Sequence, residues 1–291
     1  MVKKSTREAY GETLVKISET MPDVVVLDAD LSRSTMTAAF GKSCPMRFFN
    51  VGIAEQNLMA VAGGLAASGK TVFASTFAVF ATGRAYDQVR QNIAYNAANV
   101  KIAATHSGLT VGEDGASHQA LEDIALMRVL PNMNVVVPAD AVEAAQVVRY
   151  AAQDPRPYYI RLGRLAVPVV FDDSYRFALG KAVTVKTGKD VAILATGYML
   201  GQSLEAARIL SERGIDAEVI NMSTIKPLDI DAVVECAKRC RAVVTAEEHS
   251  IIGGLGSAVC EALCERYPVP VERVGRSEEH TSELQSLSHR G

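Results

Sequence analysis

Short apolar runs rich in Val, Ile and Ala alternate with helix-length amphipathic stretches along this chain, and that alternation restricts the architectures open to it. Val24–Leu27, Thr71–Ser75, Val100–Thr105, Asn134–Pro138 and Tyr158–Leu162 read as buried strands. Between them lie helix patterns. One follows the capping box Ser5-x-x-Glu8 and runs to Thr20, two more cover Ala54–Ser68 and Arg84–Ala97, and another follows Asp140-x-x-Glu143. Strands separated by helices need crossover connections, which give mainly parallel sheets covered on both faces. The rhythm breaks over Ala166–Gly188, where Pro168 and paired Asp172/Asp173 interrupt it, and this stretch reads as a linker. It then resumes with strands at Val191–Ala195, Ala217–Ile220, Ala242–Ala246 and Val269–Val274, and helices at Leu200–Arg213, Asp229–Lys238 and Gly256–Tyr267. The expectation is an α/β chain of two domains, each a mainly parallel sheet flanked by helices: residues 1–165 and 189–275, joined by 166–188. Residues 276–291 have no periodicity, read as the translation of a sequencing-library adapter, and are left out of the fold.

A chain of 291 residues, 48% of them hydrophobic, can bury two such cores without disulfides or metal staples. Five cysteines form no framework. Cys236/Cys240 and Cys260/Cys264 are each four apart on a helix face and lack the histidines of a common zinc pattern, so they read as small buried side chains. A net charge of −3 sets nucleic acid aside as the main partner. No apolar run reaches the roughly 18 to 20 residues that span a membrane. The amino terminus lacks the apolar core of a signal peptide, so a cytoplasmic location is expected.

Four loci place polar residues where parallel strands end, the usual ligand position in such sheets. Asp28-Ala29-Asp30-Leu31-Ser32-Arg33-Ser34 closes the first strand. Glu55 opens an otherwise apolar helix after Val51-Gly52-Ile53-Ala54. Taken alone, Glu55 reads first as a first-turn acid favoured by the helix dipole. Phe77 and Phe80 are three apart just after a strand, a spacing that suits core packing or the stacking of a flat ligand ring. Finally, His106 and His118 flank Glu113 and Asp114 on a glycine-rich loop, a set suited to proton transfer. The spacing matches no common metal site, and no Gly-x-Ser-x-Gly elbow is present. Gly253-Gly254-Leu255-Gly256 lacks the last glycine of a dinucleotide motif and reads as a helix start, with room for an anion there.

Together, Gly52-Ile53-Ala54-Glu55-Gln56-Asn57, Ser75-Thr76-Phe77-x-x-Phe80, Thr105-His106-Ser107 and Gly112-Glu113-Asp114-Gly115-x-x-His118-Gln119 resemble the pyrimidine-binding domain of transketolases. Lys226-Pro227-Leu228-Asp229 and Glu247-Glu248-His249 resemble the family's carboxy-terminal domain. The resemblance spans Lys4 to Gly275 and implies thiamine diphosphate as cofactor, with sugar phosphates as substrates. It gives Glu55 the carboxyl that bonds the pyrimidine ring nitrogen, favouring the imino tautomer that takes the thiazolium proton. Phe80 would stack on the pyrimidine with Phe77 beside it, and Asp30 and Leu31 would line the cofactor. His106 and His118 would contact the sugar and shuttle protons, and Asp114 would read its hydroxyl. Arg7, Ser34 and Arg164 would grip the phosphate, a task suited to guanidinium forks.

The chain departs from the family pattern in two places. A tyrosine often found three positions after the second phenylalanine is here Gly83, with Tyr86 nearby to compensate. The Gly-Asp-Gly…Asn segment that holds Mg²⁺ and the diphosphate is missing. The resemblance therefore implies the carboxy-terminal subunit of a split transketolase, inert by itself and completed by an amino-terminal partner, in a pair of heterodimers. A deoxyxylulose-phosphate synthase shares Gly-Ile-Ala-Glu-Gln and Arg-Ala-Tyr-Asp-Gln (84–88) but usually has an arginine near Val79-Phe80. The beta subunit of a 2-oxoacid dehydrogenase fits Asp114-Gly115-x-x-His118-Gln119 poorly, and a non-catalytic binding subunit would not need Glu55 and both histidines.

Overall fold

The computed structural model describes residues 2–277, so Glu278–Gly291, most of the stretch assigned to an adapter, lies outside the described residues. Fourteen strands are present among the described residues: β1 (Lys3–Ser5), β2 (Val24–Asp28), β3 (Phe48–Asn50), β4 (Thr71–Phe77), β5 (Val100–Thr105), β6 (Asn134–Val136), β7 (Tyr158–Arg161), β8 (Ala166–Pro168), β9 (Val183–Lys186), β10 (Val191–Ala195), β11 (Ala217–Asn221), β12 (Thr224–Lys226), β13 (Val243–Ser250) and β14 (Val271–Arg276). A seven-stranded sheet has the order β12-β6-β7-β5-β4-β2-β3, and a five-stranded sheet the order β14-β13-β10-β11-β9. Within these two sheets all pairings are parallel except β12 with β6 and β9 with β11, so the fold is α/β with mainly parallel sheets. Every residue of β2, β4 and β5 is buried, as strands sandwiched between two helical layers require.

Local chemistry sets the helix starts. Ser5 accepts the Glu8 N–H (3.3 Å) while the Glu8 carboxylate accepts the Ser5 N–H (3.0 Å), which begins the helix Thr6–Ser18. Asp140 caps Ala141–Gln153 by accepting the Glu143 N–H at 2.9 Å. Both residues of this second cap also reach into the connector. The other Asp140 oxygen accepts the N–H groups of Val170 (2.7 Å) and Phe171 (2.8 Å), and the buried Glu143 carboxylate accepts from the Tyr175 hydroxyl and from Asn221 Nδ2 (2.9 Å).

Four features differ from the sequence-based expectation. The helix expected over 84–97 starts earlier and is built from two wide turns, Phe80–Arg84 and Val89–Ala94, closed by i to i+5 bonds such as Ala85 N–H to Phe80 O (3.2 Å). The connector 166–188 carries a strand at each end, with β8 paired to β1 and β9 to β11. The two sheets also interlock: β12 follows β11 in sequence yet crosses to the edge of the first sheet, and Ile220, Met222 and Ile225 share one core with Val135 and Val137. Finally, β14 runs to Arg276, past the residue where the fold was expected to end.

Candidate active site

Because β2, β3, β4 and β5 run parallel, their carboxyl ends share one edge, and register decides which side chains meet there. Asp28 lies opposite Asn50 and Ser75, and Phe77 opposite Thr105. The buried Asp28 carboxylate accepts the Leu31 N–H (2.6 Å) and the hydroxyls of Thr35 (2.6 Å) and Thr37 (2.9 Å). Burial pushes its pKa up, against the pull of these donors. The turn so fixed puts Asp30 in the left-handed region at φ 64°. Asn50 braces it, donating to Asp30 Oδ1 (2.8 Å) and accepting the N–H groups of Asp30 and Gly52 (both 3.0 Å). The Ala54 N–H then bonds Gly52 O, and Glu55 begins the helix Glu55–Ala67.

Glu55 is only 3% exposed, and its partner is Arg84, whose Nη1 donates to Glu55 Oε1 at 2.9 Å. The Arg84 guanidinium also lies 4.4 Å from the Phe80 ring centroid. A flat, N–H-bearing group is thus held at its edge by a buried carboxylate and on its face by an aromatic ring. Those are the two contacts an aminopyrimidine needs, so the residues present fit that half of thiamine diphosphate. Phe77 stands beside Phe80, with centroids 5.9 Å apart and planes inclined by 14°. Tyr86 packs against the core, and the space that a side chain at Gly83 would enter is open.

His106 follows β5 directly at φ 58°, and its ring lies 3.8 Å from Phe77, with Nδ1 3.0 Å from the Thr105 hydroxyl. Burial, assisted by the positive charge of Arg7, lowers its pKa to about 4, so it is a neutral imidazole at pH 7. His118 meets Phe80 edge-on at 5.3 Å. Arg7 donates to the Ser34 carbonyl (2.8 Å), and Arg164 donates to the Val111 carbonyl and stands 3.9 Å from Asp114. Burial and then the charge of Arg164 lower the Arg7 pKa, and Arg7 Nε is buried without a hydrogen-bond partner among the described residues. Two guanidinium groups within reach of each other, one with an unused N–H, fit an anion such as a phosphate. All the residues expected at the cofactor and substrate positions therefore gather at one edge. Ser34 joins through its backbone carbonyl, and Leu31 through its N–H bond to Asp28.

Sequence reasoning missed Arg84, whose contacts depend on the wide turn at 80–84, and Asn50, which stands just ahead of the recognised Gly52 motif. It also left room for an anion at the Gly253-Gly254-Leu255-Gly256 helix start. That place is taken by Glu247, which accepts the N–H groups of Leu255 (2.7 Å) and Gly256 (2.8 Å). Beside it, Arg161 of β7 binds Asp123 through two bonds (2.7 and 3.0 Å) and also donates to the carbonyls of Ala120 (3.1 Å) and Glu248 (3.0 Å). Among the described residues, no three His, Cys, Asp or Glu side chains are grouped to hold a metal ion, and no helix is long and apolar enough to cross a membrane.

Two family models match the chain: the transketolase pyrimidine-binding domain over residues 2–169 and the transketolase C-terminal domain over 180–289. A chain from Methanocaldococcus jannaschii described as a transketolase C-terminal section is 48% identical over 90% of this chain and 83% of its own length. One subunit of an apulose-4-phosphate transketolase from Phocaeicola vulgatus is 39% identical over 98% of this chain and 92% of its own. A solved structure described as a split-gene transketolase, inactive beta4 tetramer, superposes with a TM-score of 0.88 at 57% identity, covering 94% of this chain and 89% of that one.

Proposed function

The chain belongs to the transketolase family, and from that premise we propose that it is one half of a split, thiamine diphosphate-dependent transketolase. It would transfer a two-carbon ketol unit between ketose and aldose phosphates once joined to an amino-terminal partner subunit that carries the diphosphate and Mg²⁺ site. Thiamine diphosphate dependence is a property of the family. The observation that carries the proposal is the seat formed by buried Glu55 and Phe80, within reach of two histidines and two arginines.

Bound in that seat, the cofactor supplies the carbon nucleophile that opens and re-forms the bond next to the sugar carbonyl. Glu55 would hold the pyrimidine nitrogen with its carboxyl, at the edge where Arg84 now donates. Phe80 would support the ring face, with Phe77 keeping His106 in place beside it. His106, neutral at pH 7, is ready to accept a proton from a sugar hydroxyl, and His118 would act with it. Asp114 would bond the hydroxyl next to the reacting carbon, and Arg7 with Arg164 would fix the phosphate at the far end. Asp30 and Leu31, held by Asn50 and Asp28, would line the cofactor's other side.

Support for a partner comes from the surface around the seat. Ile53, two residues before Glu55, is 78% exposed, and Tyr95, at the end of the neighbouring wide-turn helix, is 80% exposed. The description of the split-gene relative as an inactive beta4 tetramer supports a chain that self-associates and is inert without its partner. A pair of heterodimers would meet both observations.

The test is co-expression with a chain carrying a Gly-Asp-Gly…Asn segment, followed by an assay of ketol transfer between a ketose phosphate and an aldose phosphate. Activity is expected in the mixture and in neither chain alone. Glu55→Ala should lower kcat by at least about 100-fold, the scale of a positioned acid–base group. Activity without a partner, or activity untouched by Glu55→Ala, would overturn the proposal.

A further inference from the structure

Strand β13 outruns its neighbour β10: their last paired residues are Ala195 and Ala246, and Glu247–Ser250 continue over the first sheet's loop. Taking Asp114 and His118 as the substrate contacts proposed above, we infer that Glu248 is a positioning residue for the loop that bears them, so that the carboxy-terminal unit sets the shape of a site the first unit carries.

The contacts are specific. The Glu248 carboxylate, 8% exposed, accepts the Thr110 N–H through Oε1. Gly108 stands so close that a Cβ there would lie 2.3 Å from the Glu248 carboxyl carbon, and its φ of +81° is one that L side chains rarely adopt. The carboxylate is therefore seated on bare backbone. Gly108 in turn bridges Ala120, donating its N–H at 3.0 Å. That pairing closes the base of the loop from which Asp114 and His118 project. The same strand holds the far end as well: Ser250 N–H donates to Leu121 O (2.8 Å), and His249 Nε2 accepts the Ala125 N–H (3.4 Å). Arg161 ties the two sides together by donating to both the Glu248 and Ala120 carbonyls.

Within the loop, the bonds are short-range, such as Gly115 N–H to Gly112 O (3.1 Å) and His118 N–H to Gly115 O (3.1 Å). Its position relative to His106 and Phe80 is set by this base, with Arg164 on the Val111 carbonyl and the edge contact of His118 on Phe80 as the other contacts. Losing the Thr110 bond would leave the loop's local turns intact while loosening its placement, so substrate affinity should suffer more than turnover.

Hydrogen exchange of the chain by itself tests the clamp without reference to any activity. Glu248→Ala should speed exchange at 108–111 by about tenfold or more, with the helix Leu255–Arg266 unchanged. Glu248→Gln, which keeps an acceptor oxygen, should stay close to wild type. In the complex with its partner, Glu248→Ala should raise KM for the ketose phosphate at least about fivefold, the worth of about one hydrogen bond, while kcat falls less, and Glu248→Gln should restore KM. Unchanged exchange at Thr110 would overturn the clamp. Faster exchange with an unchanged KM would overturn its role in positioning substrate. A wild-type complex without ketol transfer would instead count against the proposed function, and the exchange result would still decide the clamp.

Discussion

Replacing Arg161 by methionine should destabilise the chain by about 4 kcal/mol at pH 7.5, the middle of the range for breaking a buried ion pair. Asp123 is fully buried and Arg161 4% exposed, so water screens neither. The change removes two charge-assisted bonds and leaves the carboxylate with the Tyr159 hydroxyl (2.6 Å) and, 3.9 Å away, His249 Nε2. Two carbonyls, of Ala120 and Glu248, also lose their donor. The pH dependence gives a second signature. Burial by itself pushes the Asp123 pKa up, but the charge and hydrogen bonds of Arg161 more than reverse it, and the folded value lies below the ordinary one of 3.8. The wild-type pair therefore contributes stability above about pH 4 that is lost as pH falls through the lowered value. In Arg161→Met, only the Tyr159 hydroxyl and His249 still oppose burial, the largest influence, so the folded pKa should rise above the unfolded one and the variant lose stability as pH increases through that range. The gap between the two proteins should accordingly shrink from pH 7.5 to pH 5. The chain has no Trp, so urea unfolding is best followed by circular dichroism. Combining Arg161→Met with Asp123→Leu should cost less than the sum of the single changes by about 2 kcal/mol. A single-variant cost below about 1 kcal/mol, or a gap independent of pH, would refute the reasoning.

The His106 ring should titrate with a midpoint near 4 in NMR spectra of the isolated chain; a midpoint at or above 6.5 would remove the case for a neutral imidazole. Gly108→Ala forces a side chain against Glu248 at a positive φ, and should lower thermal stability by about 1–3 kcal/mol while increasing exchange at Thr110. Ser5→Ala removes one arm of the capping box and should cost about 1 kcal/mol in urea unfolding, with ketol transfer unchanged. Glu247→Ala deprives the Leu255 and Gly256 N–H groups of their acceptor, and about 1–2 kcal/mol of stability should go with it.

The elements with strong local signals were legible in the sequence. Ser5-x-x-Glu8 and Asp140-x-x-Glu143 announce helix starts because capping is a contact between residues three apart, and β2, β4, β5 and β10 are apolar runs that only a covered sheet can bury. The wide turns at 80–84 and 89–94 were not legible, since an i to i+5 bond leaves no periodicity distinct from that of an ordinary helix. The strand β12 was missed for another reason: three residues cannot signal a pairing, and its partner β6 lies in the other half of the chain.

What the sequence determined by itself is the parallel α/β plan and the residues available at its carboxyl edge, Glu55, Phe77, Phe80, His106, Asp114 and His118 among them. Both follow from short-range patterns and from side-chain type. Only the tertiary structure decided how those residues meet: the Phe77–Thr105 register that sets His106 against an aromatic ring, the Arg84 guanidinium seated between Glu55 and Phe80, and the overrun of β13 that puts Glu248 under Thr110. Each joins residues far apart in the chain, and such contacts depend on strand order and register, which no local pattern records.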